Sequence, residues 1–350
     1  MTSLLASLDA PPSGRERAVW FDAADYGRAK LLAGAAVPWN SPADLAVFFG
    51  KLQGMFGSDA VLVDIGAVFA QRADGDDQLR AAMAARTRTG YALRTLLADE
   101  QARGAASEAI RALAARAVPL ILTVPAPGRW LAAAARQAGS DPGPPEAARA
   151  ETAAMYCADL LRTFAGAGVG GLLLDEGGGS AGELISAEAY RSVLNIAEHY
   201  EWPVLIRTEA AAAWPHGSVP GVAAWIGCAA PAAPYGRWGL VAGADFWDGA
   251  SPPADAGFVL ATVPAQADPE AVMKRVRTLI LRTGPDGPGT HYRSANRRRT
   301  IRRWTPHVPP PWRARPTSRP RWPRAPRRCP RTSTSLSCGT SRSCGTTSGS

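Results

Sequence analysis

Acidic side chains lie at the ends of short apolar segments of the chain, where side chains of a buried strand first meet solvent. Asp64 ends the apolar run in residues 60–65, and Asp175 ends the run in residues 170–175. A carboxylate held among other carboxylates and partly removed from water has a raised pKa, so it can act as a general acid near neutral pH. We therefore expect Asp64 and Asp175 to be catalytic residues, with a helix N-cap or a loop salt bridge as the plain structural alternative.

Arginines occupy comparable positions. Arg28 and Arg129 follow two other apolar segments, Arg207 lies at the end of a third, and Glu176 comes directly after Asp175. An arginine binds carboxylates and lowers the pKa of an acid beside it. We expect Arg28, Arg129, Arg207 and Glu176 to bind a small anionic substrate.

Eight apolar segments rich in Val, Leu, Ile and Trp must position these side chains. They span residues 18–21, 60–65, 119–124, 170–175, 203–208, 222–228, 239–244 and 257–263. Segments of this length that are apolar on both alternations are typical of parallel strands covered on both faces. Helical patterns follow most of them, which predicts right-handed crossovers and a TIM (β/α)8 barrel with its active site at the carboxyl ends of the strands.

The connections after the fifth, sixth and seventh segments leave an alternative open. Each holds only about a dozen residues, which is too short for a full helix. An open, doubly wound sheet is therefore the second candidate for the fold. Helix start signals are clear elsewhere, with Ser41 before Pro42 and Asp268 before Pro269.

The composition divides the chain into a barrel domain, residues 1–281, and a tail, residues 282–350. The tail holds 16 arginines, 11 prolines, no lysine and one acid, so it carries +15 of charge and leaves −6 on the barrel domain. With only three Ile, Leu or Val residues it cannot bury a core, and we expect it to be disordered. Its composition also fits a frameshifted stretch of a GC-rich gene; a genuine basic arm that binds nucleic acid or presents polyproline is the alternative.

Other features limit the partners and the setting. No apolar run approaches the length of a membrane span, and the first residues lack the pattern of a signal peptide. We therefore expect a cytoplasmic protein with a small-molecule anionic substrate and no membrane partner. Nucleic acid is expected only if the tail is genuine, and a homodimer stays open.

The order of several segments carries a family resemblance. Residues 18–21 precede Gly27 and Arg28, residues 59–65 contain Asp64, and residues 165–175 end in Asp175. Together with residues 118–121, 257–260 and 268–272, this order resembles the uroporphyrinogen decarboxylase superfamily, whose barrel is shared with cobalamin-independent methionine synthase and corrinoid-dependent methyltransferases. The resemblance implies a barrel of that type and gives Asp64 the place of the decarboxylase's catalytic aspartate.

The resemblance implies a cofactor-independent decarboxylation of an anionic, tetrapyrrole-like molecule. Asp64 would stabilise or deliver the proton at the reacting carbon, and Arg28 with Arg129 would bind carboxylates. One alternative is a methyltransferase that uses zinc and a corrinoid, with Glu209, His216 and Cys228 as a non-standard metal site. A second alternative is a catalytically silent homologue that binds a ligand.

The chain differs from the family at other positions. Asp22 and Asp25 stand where the decarboxylase carries a second arginine, and Thr262 lies in the closing segment, which carries a histidine in the family. Arg207 and Glu209 lie where the methyltransferases place a His-x-Cys pair. The resemblance therefore implies the fold more directly than the reaction.

Overall fold

The chain folds into a TIM (β/α)8 barrel. The structure, a computed structural model, describes residues 3–143, 146–177, 187–208, 219–230, 236–252 and 256–281. Eight parallel strands form one sheet in the order β1-β8-β7-β6-β5-β4-β3-β2. The strands are β1 (Ala18–Asp22), β2 (Val61–Asp64), β3 (Leu120–Pro125), β4 (Gly171–Asp175), β5 (Val204–Arg207), β6 (Val222–Gly227), β7 (Arg237–Ala242) and β8 (Phe258–Thr262).

Helices cover the outside of the sheet, most densely between β1 and β5. The helices in the described residues are α1 (Leu4–Asp9), α2 (Ala24–Leu31), α3 (Pro42–Phe56), α4 (Ile65–Asp74), α5 (Asp77–Ala84), α6 (Tyr91–Leu97), α7 (Glu100–Ala114), α8 (Pro127–Gln137), α9 (Ala147–Arg162), α10 (Arg191–His199), α11 (Ala244–Trp247) and α12 (Pro269–Leu281). A single 3-10 turn, Ala187–Tyr190, precedes α10. None of these helices is both long and apolar enough to cross a membrane.

The first and last strands lie side by side, which decides between the two predicted folds. Strand β1 pairs in parallel with β8 along its whole length, from Ala18 beside Phe258 to Asp22 beside Thr262. An open doubly wound sheet would leave both strands without this partner. The short connection after β7 carries the four-residue helix α11, so a barrel closes here without a full helix at that step.

The predicted helix starts are confirmed with one difference. Asp268 caps α12, because its Oδ2 accepts a hydrogen bond from the backbone N–H of Ala271 at 2.9 Å. Ser41 precedes α3, but its hydroxyl donates to Asp44 at 2.7 Å and caps no backbone N–H. The fixed φ of Pro42 favours the start of this helix independently of a side-chain cap.

Apolar side chains from alternate strand positions fill the barrel. Trp20 and Phe258 meet in the interior with ring centroids 4.9 Å apart. Helix α1 closes the amino-terminal end, where Leu4 is fully buried in the same cluster. A Cβ on Gly171 would come within 2.4 Å of Leu4, so the glycine allows this helix to approach β4. The barrel is therefore filled by apolar side chains and closed by α1 at its amino-terminal end.

The gap between β1 and β2 is bridged by backbone and side-chain hydrogen bonds from Ser58 and Asp59. Asp59 donates its backbone N–H to Val19 O at 3.0 Å and accepts from Val19 N through Oδ2 at 2.9 Å. Ser58 Oγ accepts a hydrogen bond from Phe21 N at 3.0 Å. Arg15 donates to Asp59 Oδ2 at 3.0 Å. We call these five residues, Arg15, Val19, Phe21, Ser58 and Asp59, the seam.

The predicted strands are confirmed at all eight positions, with shifts at their ends. The largest shift is at β7, which begins at Arg237 and ends at Ala242, two residues earlier than predicted. The predicted tail, residues 282–350, lies outside the described residues.

Candidate active site

Side chains from four strands meet at the carboxyl end of the barrel. Asp22 ends β1, Asp64 ends β2, Asp175 ends β4 and Arg207 ends β5. The Arg207 guanidinium lies 3.9 Å from Asp22 Oδ2 and 3.8 Å from Asp175 Oδ1. We call these four residues the mouth cluster. The predicted convergence of Asp64, Asp175 and Arg207 on one opening is confirmed.

Asp64 occupies a concave position at the start of a helix. Its Oδ1 accepts a hydrogen bond from Ala67 N at 3.0 Å, so the carboxyl also caps α4. The side chain is exposed at the carboxyl end of the barrel, but it lies in a cavity whose walls replace part of the bulk water around it. This partial loss of solvent raises the pKa of Asp64 to about 6, with support from the charges of Asp22 and Asp175, although the Ala67 hydrogen bond opposes the shift. The carboxyl can therefore carry a proton near neutral pH.

Asp22 is a second acid with an unfavourable environment for its charge. Burial raises the pKa of Asp22, and the neighbouring Asp25 and Asp175 carboxylates raise it further, while Arg207 acts in the opposite direction. Thr262 lies beside Asp22 in the pairing of β8 with β1. Its buried Oγ1 makes no hydrogen bond within the described residues. A polar group of a bound ligand could pair with this hydroxyl.

Arg129 extends the mouth cluster onto helix α8. It forms an ion pair with the Asp175 carboxylate and donates to Asp175 O at 3.4 Å. The backbone N–H of Gly177 donates to Asp175 Oδ1 at 3.0 Å. Gly177 has φ +65°, and a Cβ there would lie 2.7 Å from the Arg129 guanidinium carbon. The glycine therefore leaves the space in which Arg129 reaches Asp175.

Glu176 follows Asp175 in the chain and contacts Tyr190, a residue that the sequence analysis does not predict as part of the site. Tyr190 OH donates a hydrogen bond to Glu176 Oε1. Burial raises the pKa of Glu176 and Asp175 contributes, while the Tyr190 hydrogen bond and Arg129 oppose the shift. Tyr190 is buried in the apolar core at the 3-10 turn before α10, where an aromatic side chain carries no local signal of a polar contact.

A cavity of about 420 Å³ opens beside Asp64 and Asp175. Strand β3 contributes Thr123 and Pro125, and helix α8 contributes Arg129. The remaining lining comes from α4 and from more distant residues of α8, including Gly66, Ala70, Trp130, Ala133, Arg136 and Gln137. Its volume lies in the range of small-molecule sites. A ligand in this cavity would contact the acid whose pKa is about 6.

Arg28 makes contacts outside the mouth cluster. It lies 3.7 Å from Asp25 and donates to Gly34 O at 3.3 Å, with nearly half of its side chain exposed. Its predicted role in substrate binding stays a prediction. The structure thus brings together five of the six residues predicted for decarboxylation, namely Asp64, Asp175, Arg129, Arg207 and Glu176.

Only one residue of the predicted alternative metal site lies within the described residues. Glu209 and His216 lie outside the described residues. Cys228 is exposed directly after β6. In the part of the chain that is described, no three His, Cys, Asp or Glu side chains are grouped so that they could hold a metal ion. The zinc and corrinoid alternative stays a prediction.

Comparison with known proteins does not assign the chain to a family. Neither a protein-family model nor a curated protein matches the chain. The resemblance to the uroporphyrinogen decarboxylase superfamily therefore depends on the order of segments and on Asp64 at the end of β2.

Proposed function

We propose that the protein is a decarboxylase that acts on a small, carboxylate-bearing molecule at the mouth cluster. The observation that carries this proposal is the convergence of three aspartates and Arg207 at one end of the barrel, where Asp64 and Asp175 also line an open cavity and the pKa of Asp64 is raised to about 6. Acids with a perturbed pKa that face a cavity are typical of catalytic sites. The family resemblance supports the same reaction and makes a tetrapyrrole-like polycarboxylate the first substrate to test.

Asp64 acts as the general acid in this reaction. The bond between the reacting carbon and its carboxylate breaks, its electron pair stays on the carbon, and carbon dioxide leaves. The electron pair is held by the substrate's own conjugated system until protonated Asp64 delivers its proton to that carbon. A carboxyl with a pKa of about 6 still holds this proton in about a tenth of the molecules at pH 7, a far larger share than in an ordinary aspartate.

The charges of the mouth cluster favour the loss of a carboxylate. A substrate carboxylate placed beside Asp22 and Asp175 meets like charges, whereas the carbon dioxide that leaves is neutral. Repulsion is therefore present in the bound substrate and relieved as the bond breaks, which lowers the barrier. Arg129 and Arg207 offset part of this repulsion, so that the anion can still bind.

The proposal is tested by carbon dioxide release from polycarboxylated porphyrinogens. We expect Asp64→Asn to lose about 10²- to 10⁴-fold in turnover, the usual contribution of a general acid, while circular dichroism remains that of the wild type. Asp159→Asn is the matched control, because Asp159 is an exposed aspartate on α9 that pairs with Arg103. Turnover of the wild type should fall as the pH rises through about 6, when Asp64 loses its proton.

Two outcomes would contradict the proposal. Unchanged turnover in Asp64→Asn would remove Asp64 from the chemistry. Binding of a porphyrinogen without release of carbon dioxide would favour a ligand-binding homologue without catalytic activity.

A further inference from the structure

The cavity continues from the mouth cluster into a groove between helices α4 and α8. Its α4 wall consists of Gly66, Ala67 and Ala70, and its α8 wall includes Ala133. These residues are small, so they leave open space between α4 and α8. We call this part of the cavity the helix groove.

The helix groove has an arginine near each end. Arg129 and Arg136 are seven residues apart on α8, so they lie on the same face and about 10 Å apart along the helix axis. Arg129 pairs with Asp175 at the mouth cluster. Arg136 is exposed, and its side chain makes no ion pair or hydrogen bond within the described residues.

The middle and the far end of the groove have a different character. Trp130 lines it, is almost fully buried and meets Phe69 edge to face at 5.8 Å, which fixes the indole. Gln137 donates to Asp74 Oδ1 at 3.2 Å and so links α8 to α4 at the far end. The helix groove therefore has an apolar middle, with Arg129 near one end and Arg136 near the other.

We propose that the helix groove binds an elongated substrate with two separated anionic groups, one near Arg129 and the other at Arg136. Arg136 is then the residue that determines specificity for the second group. This inference builds on the proposed function, because the mouth cluster is rich in acids and holds Arg207 as its own cation, whereas Arg129 and Arg136 on α8 add two further cations. It adds the substrate class: a molecule with a flat apolar body and negative charges about 10 Å apart.

Binding of two rigid probes to the full chain tests the inference. Biphenyl para,para′-dicarboxylate carries two carboxylates at a spacing similar to that of the two arginines, and biphenyl para-carboxylate carries one. We expect the dicarboxylate to bind about tenfold more tightly to the wild type by isothermal titration calorimetry, since one further charged hydrogen bond contributes about 1.4 kcal/mol. Arg136→Gln should abolish this preference.

Arg111→Gln is the matched control for the loss of charge. Arg111 is exposed on α7 and does not line the groove, so its variant should keep the tenfold preference. Ala133→Leu provides a second test without a change of charge, because the larger side chain fills the groove and should weaken dicarboxylate binding. Ala132→Leu, on the same helix but outside the lining, should not.

The inference is overturned if the two probes bind the wild type equally, or if Arg136→Gln retains the preference. These measurements need no turnover, so they separate the two proposals. A lost preference in Arg136→Gln together with failed carbon dioxide release would leave the groove as an anion site and remove the decarboxylase. Turnover with equal binding of both probes would do the reverse.

Discussion

Asp59 and Asp64 lie five residues apart, at opposite ends of β2, and they differ in how their charges are compensated. At the seam, Asp59 is fully buried and pairs with Arg15 at 3.0 Å, while its oxygens also accept from the backbone N–H groups of Ser13 and Val19. In the mouth cluster, Asp64 accepts from Ala67 N and faces two further carboxylates. The residue type is the same in both regions.

This difference separates a structural carboxylate from a reactive one. Two backbone N–H groups and the Arg15 guanidinium donate to the oxygens of Asp59, so the seam holds this carboxylate as a fixed acceptor. Loss of solvent and neighbouring like charges disfavour the ionised form, so the mouth cluster raises the pKa of Asp64 to about 6. A stability role is expected at the seam and a chemical role at the mouth.

The largest effect is expected from Asp59→Asn. The variant removes the negative charge beside Arg15, whose side chain is mostly buried. It also replaces one acceptor oxygen with an amide N–H₂, which cannot accept the hydrogen bonds that Asp59 receives. Breaking a buried ion pair by removing one partner lowers the free energy of unfolding by about 3–5 kcal/mol. Urea denaturation of residues 1–281 and of the full chain measures this loss.

The comparison predicts that the same variant leaves the chemistry intact. Molecules that remain folded should have kcat/KM close to that of the wild type, because Asp59 does not contact the mouth cluster. An unchanged midpoint of unfolding would show that the seam does not depend on this charge.

Arg129→Gln comes next in size. Loss of its contacts with Asp175 removes a cation from the edge of the mouth cluster, and we expect about a tenfold rise in KM with little change in unfolding. Arg28→Gln removes a half-exposed arginine that contacts Asp25, and we expect it to raise KM by about twofold. A larger effect of Arg28→Gln would place the substrate closer to α2 than the cavity does.

The smallest effect is a gain of stability in Asp64→Asn that depends on pH. The pKa of Asp64 is about 6 in the folded protein and near 3.8 when unfolded, so its ionisation opposes folding above about pH 6. The variant should be more stable than the wild type at neutral pH by about 1 kcal/mol, a modest value because water screens this side chain. The gain should decline as the pH falls through 6 and disappear near 3.8. Thermal unfolding at several pH values checks this, and a gain that increases towards acid would contradict it.

The sequence predicts the barrel well because apolar strands that are buried on both faces leave a strong local signal. The eight apolar runs agree with the strands within two residues, and Asp64, Asp175 and Arg207 can be placed at one opening because each lies at the end of such a run. Parallel strands bring those ends together regardless of the details of packing.

Other parts of the site depend on contacts that have no local signal. Asp59 lies just before β2 and Asp64 is its last residue. Only the fold shows that Asp59 pairs with Arg15 from an earlier loop. Arg136 lies on an exposed helical face, where an arginine is common. Its proposed role in binding depends on the cavity that the small residues of α4 leave beside it. Long-range proximity of this kind is set by tertiary packing, which a single sequence does not record.

Titration of the aspartate carboxyl carbons by nuclear magnetic resonance measures the pKa of Asp64 in the folded protein. The signal of Asp64, assigned by its absence in Asp64→Asn, should shift with a midpoint at about pH 6. A midpoint near 3.8, the ordinary value for an aspartate, would mean that the mouth cluster does not perturb Asp64 and that the proposed general acid holds almost no proton near neutral pH.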